Sequence, residues 1–103
     1  MKLLQRSLEF QWDKGNRDKN FIKHNVTDEE CEEVFFDERK NIFSDPLHSQ
    51  REKRYLLIGK TKRGRLLFLV FTIRSNDIRV ISARDLNRQE RGLYEKKTYY
   101  SQI

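Results

Sequence analysis

Apolar positions are densest in the middle of the chain, where Leu66 to Ile73 reads LLFLVFTI with only Thr72 interrupting it. A run of this length, rich in Leu, Phe and Val, suits a strand covered on both faces and is too short to cross a membrane. Two further β-forming runs flank it, Arg54 to Lys60 and Ile78 to Arg84. Gly64 supplies permissive backbone in the first connection, and Arg74-Ser75-Asn76-Asp77 forms a short polar turn in the second. The pattern predicts a three-strand antiparallel meander over about 53–84, which the other segments must cover or extend.

Outside the meander the periods change. Residues 1–7 read as an extension, after which Leu8, Phe10 and Trp12 alternate with Glu9 and Gln11 as in a half-buried edge strand. Asp13 is placed to cap a helix running to about His24, with Asn16, Asn20 and Lys23 on one face and Asn25 ending it. Thr27-x-x-Glu30 is a capping box for a second helix, which buries Cys31, Val34 and Phe35 and turns Glu29, Glu32 and Glu33 outward. Asn41-Ile42-Phe43 is a short strand candidate, and Ser44 to Ser49 is a loop holding Pro46, the only proline. Asn87 with Glu90 opens a C-terminal helix through Leu93 and Tyr94 to about Lys97, leaving 98–103 as a tail. Separate runs of helices and strands predict an α+β fold: an antiparallel sheet, two N-terminal helices on one face, a C-terminal helix, and a face left for a ligand.

Length and composition narrow this picture without changing it. At 103 residues the chain forms one domain, and seven Phe, four Tyr and one Trp exclude disorder despite 37% charged residues. The net charge is +6, and the acids cluster at Asp28, Glu29, Glu30, Glu32, Glu33, Asp37 and Glu38. The sheet and C-terminal half are therefore more basic than the total, which points to a polyanion; a solvated basic face is an equally ordinary reading. Cys31 is the single cysteine, so no internal disulfide or Cys-based zinc set forms, and its thiol reads as core filler. With no continuous apolar signal segment at the N-terminus, the expected location is the cytoplasm, away from membranes.

No Walker loop, dinucleotide glycine pattern, HExxH or nucleophile elbow occurs, so neither cofactor nor metal is expected. The remaining arginines, lysines, histidines and carboxylates suit RNA. Attack by the neighbouring 2′-OH needs a proton acceptor, cations at phosphorus and an acid for the leaving oxygen. Arg54, Arg65, Arg74, Arg79 and Arg84 are candidates for phosphate, with Arg79 expected on one strand face with Ile81 and Ala83, and Arg74 following the face of Phe68, Val70 and Thr72. Lys60, Lys62 and Arg63 add basic charge at the first turn. His24, beside Lys23 at a helix C-terminus, is a proton carrier or a simple cap; His48 sits in a polar loop. Glu52 is a base or an ion-pair partner, and Tyr94 a stacking ring, a proton donor or a core residue.

Several of these pieces recur together: F-x-W-D at Phe10 to Asp13, Asn20 and Lys23-His24 before Val26, D-P-x-H-S from Asp45 to Ser49, and Glu52 with Arg54. Ile58-Gly59, Gly64-Arg65, V-F-T-x-R from Val70 to Arg74, I-R-V-I-S-A-R from Ile78 to Arg84 and E-R-x-x-Y from Glu90 to Tyr94 complete the series. In this order and spacing they resemble the BrnT family of bacterial type II toxins, small ribonucleases of RelE-like fold inhibited by a BrnA antitoxin. The resemblance runs from about Phe10 to Glu95. Asn25 replaces the glycine usual after Lys-His, and Asn16 stands where a lysine is common. The resemblance implies a metal-independent RNA endonuclease that slows translation, neutralised by a BrnA-like antitoxin through which operator DNA is reached. It places catalysis among Lys23, His24, Glu52, Arg54, Arg74, Arg79, Arg84 and Tyr94, with Lys60, Lys62, Arg63, Arg65 and His48 holding substrate. The competing expectation is a non-catalytic basic module that binds RNA or an antitoxin as co-repressor.

Overall fold

The computed structural model describes residues 9–48 and 51–101, with side chains over 9–47 and 51–95. Its sheet has four antiparallel strands in sequence order: β1 (Asn41–Ser44), β2 (Arg54–Lys60), β3 (Leu66–Arg74) and β4 (Asp77–Asp85). The expected meander is present, and the short candidate at 41–43 joins it as β1. Ser75 and Asn76 at the β3–β4 turn have φ of 51° and 71°. Two successive left-handed residues make a type I′ hairpin turn, whose twist matches that of the strands it joins.

One sheet face carries the main core. Leu57, Leu67, Leu69, Phe71, Val80 and Ala83 pack against Val26, Cys31, Val34 and Phe35. Phe35 stands at the centre, edge-on to Phe10 at 5.2 Å and to Phe71 at 5.0 Å between centroids. Gly59 lies so close beneath that a Cβ there would meet the Val34 backbone oxygen at 3.0 Å. Burial, reinforced by Asp28, Glu30 and Glu32, pushes the Cys31 thiol up to about 12. It is an unreactive core residue, as its sequence context suggested.

Two short helices cover this face, α1 (Lys19–His24) and α2 (Asp28–Glu33), the second continuing as a 3₁₀ turn over Val34–Phe36. The Thr27–Glu30 capping box closes as expected: Glu30 N–H donates to Thr27 Oγ1 at 3.1 Å and Thr27 N–H to Glu30 Oε1 at 3.0 Å. Asn25, at φ 57°, ends α1 in the left-handed conformation. The helix expected from Asp13 is shorter than its pattern suggested. Residues 14–18 form turns, and Asp18 at φ 57° breaks the continuity before α1 starts.

The reason lies at the outer edge of β4. Asn16 is buried there; its amide nitrogen donates to Gln11 O at 2.9 Å and Val80 O at 3.2 Å, while Asp13 N–H donates to its oxygen at 2.9 Å. Asn20 Oδ1 accepts the Ala83 N–H at 2.9 Å. Upstream, Ile78 N–H donates to Glu9 O and Gln11 N–H to Ile78 O, each at 2.8 Å. The strand expected over Leu8 to Trp12 is thus a single parallel bridge, Phe10 to Ile78, within the described residues; Leu8 lies outside them. Side-chain amides replace the missing strand, because an uncovered edge leaves polar backbone groups without partners.

A second correction concerns β4 itself. The β3–β4 register shifts between Val70 and Phe71, so that Thr72 faces Arg79 while Val70 faces Ser82 and Phe68 faces Arg84. One extra residue is accommodated on β4, a bulge that resets the side-chain alternation. Ala83 points into the core, whereas Arg79 joins Ser82 and Arg84 on the opposite face rather than sharing a face with Ala83 as simple alternation predicts.

That opposite face is only partly open. α3 (Arg88–Ser101) lies across its hairpin end, where Tyr94 packs with Ile58, Leu86, Leu66 and Phe68. The helices therefore occupy both faces, not one, and α3 runs past Lys97, the end that the sequence suggested, to Ser101. Among the described residues no helix is long and apolar enough to cross a membrane. Asn16→Ala should cost about 1–3 kcal/mol by urea denaturation, since it strands Val80 O and Asp13 N–H where water reaches poorly.

Candidate functional site

Cross-strand register assembles a charged cluster at the end of the sheet away from the β2–β3 hairpin. Arg54 of β2 pairs with Thr72 of β3, which pairs with Arg79 of β4, so the three form one row on the face opposite the main core. Thr72 is buried between the arginines and donates its hydroxyl to Lys53 O at 2.7 Å. Continuing the β2–β3 register by two residues sets Glu52 opposite Arg74. The two meet in a bidentate pair, Arg74 Nε to Oε2 at 3.1 Å and Nη2 to Oε1 at 2.9 Å. Both side chains remain accessible, at 49% and 34%.

Arg79 is held differently. Its Nη1 and Nη2 donate to the two carboxylate oxygens of Asp13 at 2.6 and 3.0 Å, and its side chain is only 13% exposed. The two pairs feel one another. The Arg74 guanidinium holds the Glu52 carboxyl below its usual range against a smaller opposing effect of burial, and the charges of Arg54 and Arg79 add to it. Arg79, the Gly15 N–H and the charge of Arg74 similarly lower Asp13. Five charged side chains thus share one small surface and one electrostatic field.

Arg84 is on the same face but two pairings further along, roughly 13 Å at about 3.3 Å per residue. Its guanidinium lies over the Phe68 ring at 4.3 Å and is forked onto Glu90 at 2.7 and 2.8 Å. The remaining candidates gather at the hairpin end. Arg65 is bonded to Asp85, Glu30 and the carbonyls of Asn25 and His24, tying the end of α1 to α2 and β4. Lys23 and His24 are exposed beside it. β3 runs roughly 26 Å from Leu66, next to Arg65, to Arg74 at its other end. Lys60 lies over the Tyr94 ring at 5.8 Å, and the Tyr94 hydroxyl donates to Asp37 Oδ2 at 2.7 Å. Burial and that bond raise the Tyr94 pKa, so the phenol holds its proton. Lys62 N–H is bonded to Glu33, and Arg63 lines a cleft of about 460 Å³ with Asn25, Thr27 and Glu30. The His48 side chain lies outside the described residues.

The structure therefore brings together Glu52, Arg54, Arg74 and Arg79, places Arg84 along the same face, and sets Lys23, His24, Arg65, Lys60, Lys62, Arg63 and Tyr94 at the other end. The acidic block is spent largely inside the molecule: Glu30 pairs with Arg65, and Glu32 accepts the Trp12 indole N–H at 2.7 Å. Asp13 stands outside the catalytic and binding candidates drawn from the sequence, where it reads as a helix cap and the last residue of F-x-W-D; its partner is 66 positions away and carries no local signal. Among the described residues no group of three or more His, Cys, Asp or Glu side chains is arranged to hold a metal ion. Chemically, an ionised carboxylate can accept a proton while the guanidinium groups flanking it neutralise an anion at the same place.

A family model described as a ribonuclease toxin, BrnT, of type II toxin-antitoxin systems matches residues 12–90, most of the chain and all of this cluster. No curated protein matches the chain. In a carboxyl-carbon NMR titration Glu52 should titrate below 4.5, and Arg74→Ala should move it up towards that value, because the charged form loses its bonded partner. Glu90, lowered chiefly by its Arg84 bond, should show the linked effect on folding. A depressed carboxyl stabilises the native state above its unfolded pKa, and this is lost as pH falls through the folded value. The parent should lose more stability below about pH 4.5 than Glu90→Gln, read by denaturant midpoints.

Proposed function

Because this chain belongs to the BrnT family of ribonuclease toxins of type II toxin-antitoxin systems, we propose that it cleaves RNA without a metal, using the Glu52–Arg54–Arg74–Arg79 end of the sheet. The observation that carries this reading is Glu52, an accessible carboxylate kept ionised by the arginines around it. Glu52 takes the proton of a 2′-OH, and the oxygen attacks the adjacent phosphorus. Arg74 and Arg54 carry the charge that grows on the phosphoryl oxygens, the role a metal would otherwise fill. The 5′ oxygen leaves and is protonated from solvent, giving a 2′,3′-cyclic phosphate and a 5′-hydroxyl. Arg84 binds a flanking phosphate further along the face. Lys23, His24 and the basic hairpin lie too far away to touch the same phosphodiester and hold more distant RNA.

The family description implies an antitoxin partner. We take it to be BrnA-like and to act by covering the open face, with translation slowed in the cytoplasm when it is absent. The binding-module alternative has one observation in its favour: Arg65, Arg74, Arg79 and Arg84 each already hold a carboxylate, which a phosphate would have to displace or share.

Labelled RNA incubated with purified protein in excess EDTA decides between them. The parent should yield fragments ending in cyclic phosphate, and Glu52→Gln should lower turnover by about 10²- to 10⁴-fold while retaining binding. Parent protein that binds RNA with a steep salt slope yet leaves it intact would establish the binding module instead.

A further inference from the structure

The loop ahead of α1 makes a contact that edge coverage does not require. Asp13 receives both terminal nitrogens of Arg79, and its Oδ1 also accepts the Gly15 N–H at 2.8 Å. Gly15 in turn lies directly against the guanidinium: a Cβ built there would stand 2.7 Å from Arg79 Nη2. Gly15 does not have a positive φ, so the backbone alone gives no reason for glycine at this position. The reason on view is space for Arg79.

Resting on the nuclease reading above, we propose that Asp13 and Gly15 are positioning residues, a bracket that fixes the Arg79 guanidinium at the end of the sheet where Glu52, Arg54 and Arg74 meet. The fork of Asp13 sets the plane of the guanidinium. Gly15 closes over it, which accounts for so little of Arg79 being exposed. A charge held in one place needs no reorganisation when charge develops on a bound phosphate, and it adds to the larger effect of the Arg74 guanidinium in lowering the Glu52 carboxyl. Arg79 thus acts on the reaction as a fixed field from beneath, while the more accessible Arg74 meets the substrate.

Two substitutions separate this from a purely structural role. Gly15→Ala inserts one methyl against the mobile tip of an arginine, so the fold survives and Arg79 is displaced. Asp13→Asn keeps an oxygen for the Gly15 N–H but turns an N–H donor towards an arginine nitrogen. The order of the Arg79 Nε–H is followed by ¹⁵N relaxation, assigned with Arg79→Lys, alongside kcat, KM and the pH–rate profile on RNA. In both variants Arg79 should become mobile and kcat should fall roughly 10- to 100-fold with KM little changed; in Gly15→Ala, which leaves the Asp13 charge in place, the acid limb should move to higher pH as Glu52 loses a cationic neighbour. Aspartate replaced by glutamate, which keeps the charge on a longer arm, should recover part of kcat. An Arg79 as ordered in Gly15→Ala as in the parent, or an unmoved acid limb in that variant, overturns the bracket. Parent protein that leaves RNA intact sinks the nuclease reading separately, and the bracket is then judged by Arg79 order alone.

Discussion

An edge strand must satisfy backbone groups that no neighbour will take, and in this chain that requirement organises most of what surrounds the sheet. β4 has β3 on one side and only the N-terminal segment on the other. Residues 9–11 supply two backbone hydrogen bonds, and the side chains of Asn16 and Asn20 supply others. The same commitment draws the 13–18 turns tight against β4, shortens α1, and lands Asp13 and Gly15 on Arg79. Edge protection and the geometry of the charged cluster are consequences of one docking event.

Much of the fold was legible because its cause is local. A continuous apolar run, two flanking β-forming runs and the turn residues gave the meander, the T-x-x-E box gave the start of α2, and Asn25 gave the end of α1. What was not legible has causes remote in sequence. The bulge in β4 arises from how β4 meets β3, and nothing in the string I-R-V-I-S-A-R says that alternation is reset within it. The shortened helix follows from Asn16 reaching Val80, a partner 64 residues away. α3 bears a modest amphipathic pattern, which shows that it packs but not on which face.

The candidate cluster was legible in a narrower sense. Residue type and family pattern singled out Glu52, Arg54, Arg74 and Arg79, and the register puts them side by side. The same reasoning grouped Lys23, His24 and Tyr94 with them, and it could not have done otherwise: sequence proximity to a motif gives no distance along a sheet. Asp13 drew no functional role, even within F-x-W-D, because an N-cap is a sufficient local explanation for an aspartate before a helix. The carboxylates shape the cluster alongside the arginines: Arg79, forked onto Asp13, is 13% exposed, and Arg74, forked onto Glu52, is 49% exposed.

The cross-strand pair of Glu52 and Arg74 has a further consequence for how such a chain can vary. Between Glu52 and Arg54 the spacing of two is a matter of parity. One residue inserted there would rotate the carboxylate to the side occupied by Phe35 and Leu57 and leave Arg74 facing solvent alone. At that step the number of residues, together with their identity, fixes which face the carboxylate takes.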